Sequence, residues 1–101
     1  MDENYIEFAE KGQETTLAGL VKNYENLFVI RSVTKFFGMA GIRLGYGIAA
    51  PSLAEKLENV RIPWSINSLA SCATLAAFND SDFIENTKKT ITKKGQTLQN
   101  N

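Results

Sequence analysis

Ser32-Val33-Thr34-Lys35-Phe36-Phe37-Gly38-Met39-Ala40-Gly41-Ile42-Arg43-Leu44-Gly45-Tyr46-Gly47 is the stretch whose reading decides the fold. It follows Leu27-Phe28-Val29-Ile30, a continuous apolar run that predicts a strand covered on both faces. That strand delivers Lys35 into a loop of small residues, with Arg43 further along the same loop. Ligands of open α/β sheets gather at the carboxyl ends of the strands. A lysine there becomes nucleophilic when desolvation or a neighbouring cation lowers its pKa, and its amine then forms a Schiff base with a cofactor aldehyde. The hydroxyls of Ser32 and Thr34 and the two-pronged guanidinium of Arg43 would hold a nearby anion such as a phosphate. Gly38 and Gly41 would let the backbone pass close to the ligand. A single loop lysine is most often only solvated, and turn glycines need no ligand. The combination at this spacing is what points to a site.

Working outward, Tyr5-Ile6-Glu7-Phe8 alternates as the end of a short strand, and Lys11-Gly12-Gln13 opens a loop. Thr15 or Thr16 is placed to cap a helix over Leu17 to Tyr24, with an apolar stripe of Leu17, Leu20, Val21 and Tyr24. Strand, helix and strand in that order predict a parallel α/β unit. Leu44 to Ala49 reads as a further strand, and Pro51 suits the first turn of a helix across Ser52 to Glu58. Arg61-Ile62-Pro63-Trp64 ends that helix. A third helix runs from Ser65 or Asn67 to about Phe78, and its many alanines predict close packing and burial. Asp82 and Glu85 form a capping box for a last amphipathic helix carrying Phe83, Ile84 and Ile91.

Composition limits the function. The chain has 101 residues, 44% of them hydrophobic and 22% charged, which fits a folded domain or part of one rather than a disordered segment. Eleven basic and eleven acidic side chains cancel, so no net field draws the chain to nucleic acid or an anionic membrane. One cysteine, Cys72, excludes an internal disulfide framework and fits a reducing cytoplasm. The absence of histidine argues against a transition-metal site. The acidic start lacks the layout of a signal peptide, and the apolar runs are far short of a membrane span. The expectation is a soluble cytoplasmic protein.

Asp2 and Tyr5 form a second cluster. An aspartate in the crevice of a sheet pairs with a protonated pyridine nitrogen, and the tyrosine donates to a phenolate-like oxygen. A protonated ring withdraws electrons from a substrate's α-carbon. Taken alone, the two residues read as a charged N-terminal segment with an aromatic core residue.

With both clusters in view, Asp2-Glu3-Asn4-Tyr5-Ile6-Glu7-Phe8 resembles the D-E-x-Y-x-x-F segment of fold type I pyridoxal-phosphate enzymes. Ser32-x-Thr34-Lys35, followed by Gly41-x-Arg43-Leu44-Gly45-Tyr46, resembles the lysine signature of class I/II aminotransferases. The resemblance covers nearly the whole chain, with both motifs in the family's order. It implies an α/β fold, here residues 1–101 of the large domain, in which a mixed, mostly parallel sheet is flanked by helices. It implies pyridoxal 5'-phosphate as cofactor, held by Lys35 as a Schiff base, with Lys35 then shuttling a proton between the substrate's α-carbon and C4′. By the same resemblance Asp2 pairs with the pyridine nitrogen and Tyr5 bonds the 3′-oxygen, while Ser32, Thr34 and Arg43 bind the phosphate. The family usually has serine where Thr34 stands, which keeps the hydroxyl.

Pro63-Trp64-Ser65-Ile66-Asn67-Ser68-Leu69-Ala70 is similar to a segment of threonine-phosphate decarboxylases, relatives of histidinol-phosphate aminotransferases. The resemblance places it near a subunit interface, so Trp64, Ser65 and Asn67 either shape a substrate pocket or form a helix N-terminus in which Ser65 or Asn67 caps and Trp64 packs. The family's upstream phosphate-binding half and its C-terminal small domain have no counterpart in these residues. The chain is therefore expected to be an internal fragment, inactive alone, of a homodimeric parent that acts on a small amino substrate. Three functions are carried forward: amino transfer to a 2-oxo acid, decarboxylation of an O-phosphorylated amino acid, and a truncated product without catalysis. A nucleotide-binding module is disfavoured because glycines 38, 41, 45 and 47 lack the spacing of a phosphate-cradling loop before a helix.

Overall fold

The computed structural model describes residues 1–9 and 11–101. Its centre is an antiparallel pair of strands, β1 (Phe28–Ser32) and β2 (Gly45–Ala49), in register from Phe28 opposite Ala49 to Ser32 opposite Gly45. The connection between them, Val33 to Leu44, is the loop that carries Lys35. Val33 N–H still donates to Leu44 O (3.3 Å), so the ladder closes the base of that loop.

The other edge of β1 receives the N-terminal segment. Asp2 forms a parallel bridge with Ile30, through Glu3 N–H to Ile30 O (2.8 Å) and Ile30 N–H to Met1 O (2.9 Å). Within these residues the sheet is thus mixed. The regular ladder is antiparallel, and the parallel pairing expected from the sequence amounts to this one bridge. The chain cannot continue as a strand, because Ile6 N–H turns back to Glu3 O (3.1 Å) and Phe8 N–H to Tyr5 O (3.1 Å). The alternation of Tyr5 to Phe8 therefore belongs to a 3₁₀ turn over Ile6–Phe8, not to a strand end.

The segment before β1 also departs from expectation. A one-turn helix, α1 (Gly12–Thr15), stands where the sequence predicts a loop, and Ala18–Asn23 is 3₁₀ rather than α-helical. Gly19 and the β-branched Val21 are weak helix formers, so the tighter turn prevails there. Neither Thr15 nor Thr16 caps it: the residue before the segment is Leu17, with no side-chain cap bond, and Thr16 Oγ1 only accepts from Ala18 N–H (3.1 Å) in a local turn. β1 is covered on one face only. Val29 is fully buried, whereas Ile30 is 42% exposed.

After β2 the reading is closer. Pro51 occupies the first turn of α2 (Pro51–Val60), where its missing N–H costs no hydrogen bond. Asn67 caps α3 (Ser68–Asn79), its Oδ1 accepting from Ala70 N–H (2.7 Å). That helix is not buried as its alanines predict: only Ala70 and Thr74 are enclosed. The last helix, α4 (Ser81–Gln99), is capped by Asp80, which accepts from Phe83 N–H (3.0 Å). The box of Asp82 and Glu85 is displaced because Asp80 already occupies the cap, leaving Asp82 inside the first turn and Glu85 paired with Lys89 (3.0 Å).

The core is small: Val21, Val29, Val33, Phe36, Ala50 and Ala70. A chain of aromatic contacts extends it. Phe8 meets Phe36 edge-on (6.3 Å), Phe36 meets Phe37 (5.1 Å), and Phe37 reaches Phe78 of α3 (5.6 Å) and Phe83 of α4 (6.0 Å). Tyr46 of β2 closes the group on Phe78 (5.5 Å). Each such pair adds about 1 kcal/mol beyond its buried area. The two residues after Lys35 are thus fastened on both sides, which fixes the backbone from which the lysine projects.

Candidate active site

Side chains alternate across a strand, so Ile30 and Ser32 share one face of β1 while Val29 and Arg31 share the other with Val33. The second face is the buried one: Val29 and Val33 are wholly enclosed. The first face is the more open one, with Ile30 half-exposed, and the chain runs from it into Lys35. There Ser32 Oγ and Thr34 Oγ1 share a hydrogen bond (3.0 Å), and Lys35 Nζ donates to Thr34 Oγ1 (3.1 Å). Nζ also lies 5.9 Å from the centre of the Tyr5 ring, near enough for a cation–π attraction. Four residues singled out from two separate motifs, Tyr5, Ser32, Thr34 and Lys35, therefore meet in one place.

Lys35 and Tyr5 are exposed, whereas Thr34 is buried. The amine is aimed by a buried hydroxyl but not enclosed by this chain's own walls. Asp2 is carried on the strand-like segment beside Ile30, its Oδ1 accepting from Asn4 N–H (2.9 Å). Arg43 is in the left-handed conformation (φ 54°), which bends the loop back into β2, and its Nη1 donates to Ala40 O (2.9 Å). Gly38 also has positive φ (63°), a conformation in which a side chain would be strained. The loop glycine at 38 thus serves the turn itself.

Trp64, Ser65 and Asn67 form a separate group on the α2–α3 connection. Asn67 is the helix cap described above, and Ser65 Oγ accepts from Arg61 Nη1 (3.0 Å). Trp64 does not pack as a helix N-terminus would have it: the side chain is 97% exposed on a backbone with φ 61°.

One cluster had no place in the sequence reading. Glu3, 7% exposed, accepts at Oε2 from Arg31 Nε (3.1 Å), Arg31 Nη2 (3.0 Å) and Thr16 Oγ1 (2.8 Å), and at Oε1 from Leu17 N–H (2.8 Å). Burial by itself raises the carboxyl's pKa. The bonds from Leu17, Thr16 and Arg31, with the Arg31 charge, outweigh it and hold the carboxyl below the usual glutamate range. The available signal was Arg31 itself, a charge directly after the apolar run Leu27 to Ile30 and on the face of Val29 and Val33, where a partner must satisfy it.

The groups that meet at Lys35, a primary amine, the hydroxyls of Ser32 and Thr34 and the ring of Tyr5, suit an aldehyde carrying an anionic group, while Arg43 bonds Ala40 O and Asp2 bonds Asn4 N–H away from the amine's own contacts. Comparison with known proteins agrees. The family model described as aminotransferase class I and II matches residues 1–101. The chain belongs to the class I and II aminotransferases. Among curated relatives of this aminotransferase chain, one named as a threonine-phosphate decarboxylase, from Caldanaerobacter subterraneus subsp. tengcongensis, is 46% identical over 91 residues, 90% of this chain and 25% of the relative. Histidinol-phosphate aminotransferase 2 of Haemophilus influenzae is 41% identical over 85 residues, 84% of this chain and 23% of the relative. This aminotransferase chain thus spans about a quarter of the length of the curated relatives it matches.

Solved structures show the same fold. The histidinol-phosphate aminotransferase of Clostridium acetobutylicum superposes with a TM-score of 0.86 at 38% identity, covering 98% of this chain and 30% of that one. That of Sinorhizobium meliloti, solved in complex with pyridoxal-5'-phosphate, gives 0.80 at 25% identity, covering 96% of this chain and 26% of that one. The fold is therefore that of the fold type I aminotransferases, as the two motifs predict.

Proposed function

We propose that this chain is the lysine-bearing part of a pyridoxal-phosphate-dependent aminotransferase that moves an amino group between an amino or amino-phosphate substrate and a 2-oxo acid. The observation that carries the reading is the continuous set Ser32–Thr34–Lys35, with Tyr5 brought against the lysine amine from a distant part of the chain. When bound, pyridoxal phosphate supplies an electron-withdrawing ring that takes up the electron pair released at the substrate's α-carbon.

The chain's own residues divide the remaining work. Lys35 Nζ would hold the cofactor's aldehyde carbon and, once displaced by the substrate amine, move a proton between the substrate's α-carbon and C4′. Thr34 Oγ1, accepting from Nζ, aims the amine along the open face of β1. The hydroxyls of Ser32 and Thr34 and the guanidinium of Arg43 would bind the phosphate. To do so Arg43, which donates to Ala40 O here, would exchange that neutral acceptor for a phosphate oxygen, an acceptor that is itself charged. Asp2 would keep the pyridine nitrogen protonated, and Tyr5 would donate to the ring oxygen.

A small-molecule substrate and a homodimeric assembly complete the proposal, with exposed Trp64 and Ser65 toward the substrate pocket or the subunit interface and Asn67 serving as cap behind them. A cytoplasmic site fits the free, exposed Cys72 thiol, and no helix among the described residues is long and apolar enough to cross a membrane. Decarboxylation is the second reading, favoured by the 46% identity to the protein named as a threonine-phosphate decarboxylase.

The test uses the complete polypeptide that contains these residues. Pyridoxal phosphate is added at low concentration, the sample is reduced with borohydride, and peptides are mapped by mass. Stoichiometric addition at Lys35, lost in Lys35→Ala, is expected; addition scattered over surface lysines overturns the proposal. Histidinol phosphate with a 2-oxo acid should then give amino transfer. Carbon dioxide release from threonine phosphate without amino transfer would instead assign the second reading.

A further inference from the structure

Asp2 stands beside Ile30 through two backbone hydrogen bonds, with one more from the Met1 amino group to Phe28 O (2.9 Å). A bridge that short does not specify its own register, and a slip of one residue would turn Asp2 to the buried face and Glu3 to the open one. Something else must hold it. On the core side of the same two strands, the Glu3 carboxylate takes both nitrogens of Arg31's fork, Nε at 3.1 Å and Nη2 at 3.0 Å. Thr16 ties the pair to the next segment: its hydroxyl donates to Glu3 Oε2 (2.8 Å) and accepts from Arg31 Nη2 (2.7 Å). Every bond of the cluster lies on the face of β1 opposite Ser32. Glu3 touches none of the groups assigned to the cofactor.

We propose that Glu3, clamped by Arg31 and Thr16, is a positioning residue that locks the register between the Asp2–Tyr5 segment and β1, and thereby sets both the affinity and the proton state of the bound cofactor. The proposal rests on the pyridoxal-phosphate reading above and deepens it. Its physical basis is alternation. The residues on either side of the clamp in the two strands are Asp2 and Ser32, so an error at the buried face is transmitted directly to the open one. Arginine is required for the grip because only its planar fork meets a carboxylate with two donors held in fixed geometry.

The complete polypeptide is compared as wild type, Glu3→Gln, Arg31→Lys and Glu85→Gln. Three quantities are read: the dissociation constant for pyridoxal phosphate, the pH midpoint of the bound cofactor's visible absorbance change, and amide hydrogen exchange at residues 3 and 30 in the cofactor-free protein. Glu3→Gln is expected to weaken cofactor binding by about tenfold or more, the scale on which outer partners of a bound group act. The midpoint should move, and protection at both amides should fall. Glu85→Gln, which breaks an exposed pair on α4, should change none of the three. If Glu3→Gln lowers only the melting temperature and leaves affinity and midpoint at wild-type values, the residue is merely structural and the proposal is overturned. If Glu3→Gln does not fold, Arg31→Lys, which keeps the charge and loses the fork, is judged by the same criteria. Failure of wild type to bind pyridoxal phosphate would count against the aminotransferase reading instead. The exchange data would then decide the register lock alone, with unchanged protection overturning it.

Discussion

At the scale of single residues, Glu3 is the one buried acid among the described residues. Its carboxyl is held below the ordinary glutamate range by hydrogen bonds and the Arg31 charge, against the opposing effect of burial. A carboxyl with a lowered folded pKa contributes stability that is fully present above its unfolded value, about 4.3, and is lost as pH falls through the folded value. Acid titration of unfolding should therefore show a stability loss beginning near that unfolded value, and Glu3→Gln should flatten this part of the curve while lowering the neutral plateau. An unchanged acid slope in Glu3→Gln would show that the clamp is not linked to folding. Lys35, Ser32, Thr34, Tyr5 and Asp2 could be singled out as candidates from the sequence because each belongs to a local pattern of fixed spacing. Glu3 stands in the same D-E-x-Y-x-x-F pattern, but its pairing with Arg31 was not legible, because it spans 28 residues and leaves no periodic trace.

At the scale of elements, the sequence was most legible where a local signal had no competitor. Pro51 opened α2 and the apolar run before Lys35 became β1. It failed where tertiary contacts overrode local preference. The 3₁₀ turn over Ile6–Phe8 replaced a strand because Ile6 and Phe8 N–H turn back to Glu3 and Tyr5 O, and α3 stayed exposed because alanine content reports only permission to pack. Asp80 took the cap expected of Asp82 by standing one residue before the helix. A glycine explains how the 3₁₀ turn is held. A Cβ built on Gly12 would overlap the carbonyl oxygen of Ile6, a backbone atom that cannot swing aside. Gly12→Ala should therefore push α1 away from the Ile6–Phe8 turn at a cost of about 1–3 kcal/mol, the usual range for overpacking. Tyr5, at the start of that turn, should lose its place beside Lys35. Denaturant melts would register the first effect, and a weaker pyridoxal phosphate affinity the second; wild-type values for both would refute the packing argument.

At the scale of the whole molecule, the candidate site is assembled from two pieces that differ in how far apart they lie along the chain. Lys35 rides the connection of an antiparallel pair, β1 and β2, that is contiguous apart from that loop. Asp2 and Tyr5 arrive from the far side of α1 and the 3₁₀ segment, joined by a bridge and a clamp between positions 28 residues apart. Closing a longer loop costs more chain entropy before any contact repays it, so near contacts form first. The hairpin is therefore expected to form first and the N-terminal segment to join it later. Weakening the hairpin with Val33→Ala should slow folding, whereas Glu3→Gln should leave the folding rate nearly unchanged and speed unfolding. Stopped-flow measurement of both arms would reverse this order if the clamp forms early. In time as well as in space, the lysine is ready before the groups that give it a partner.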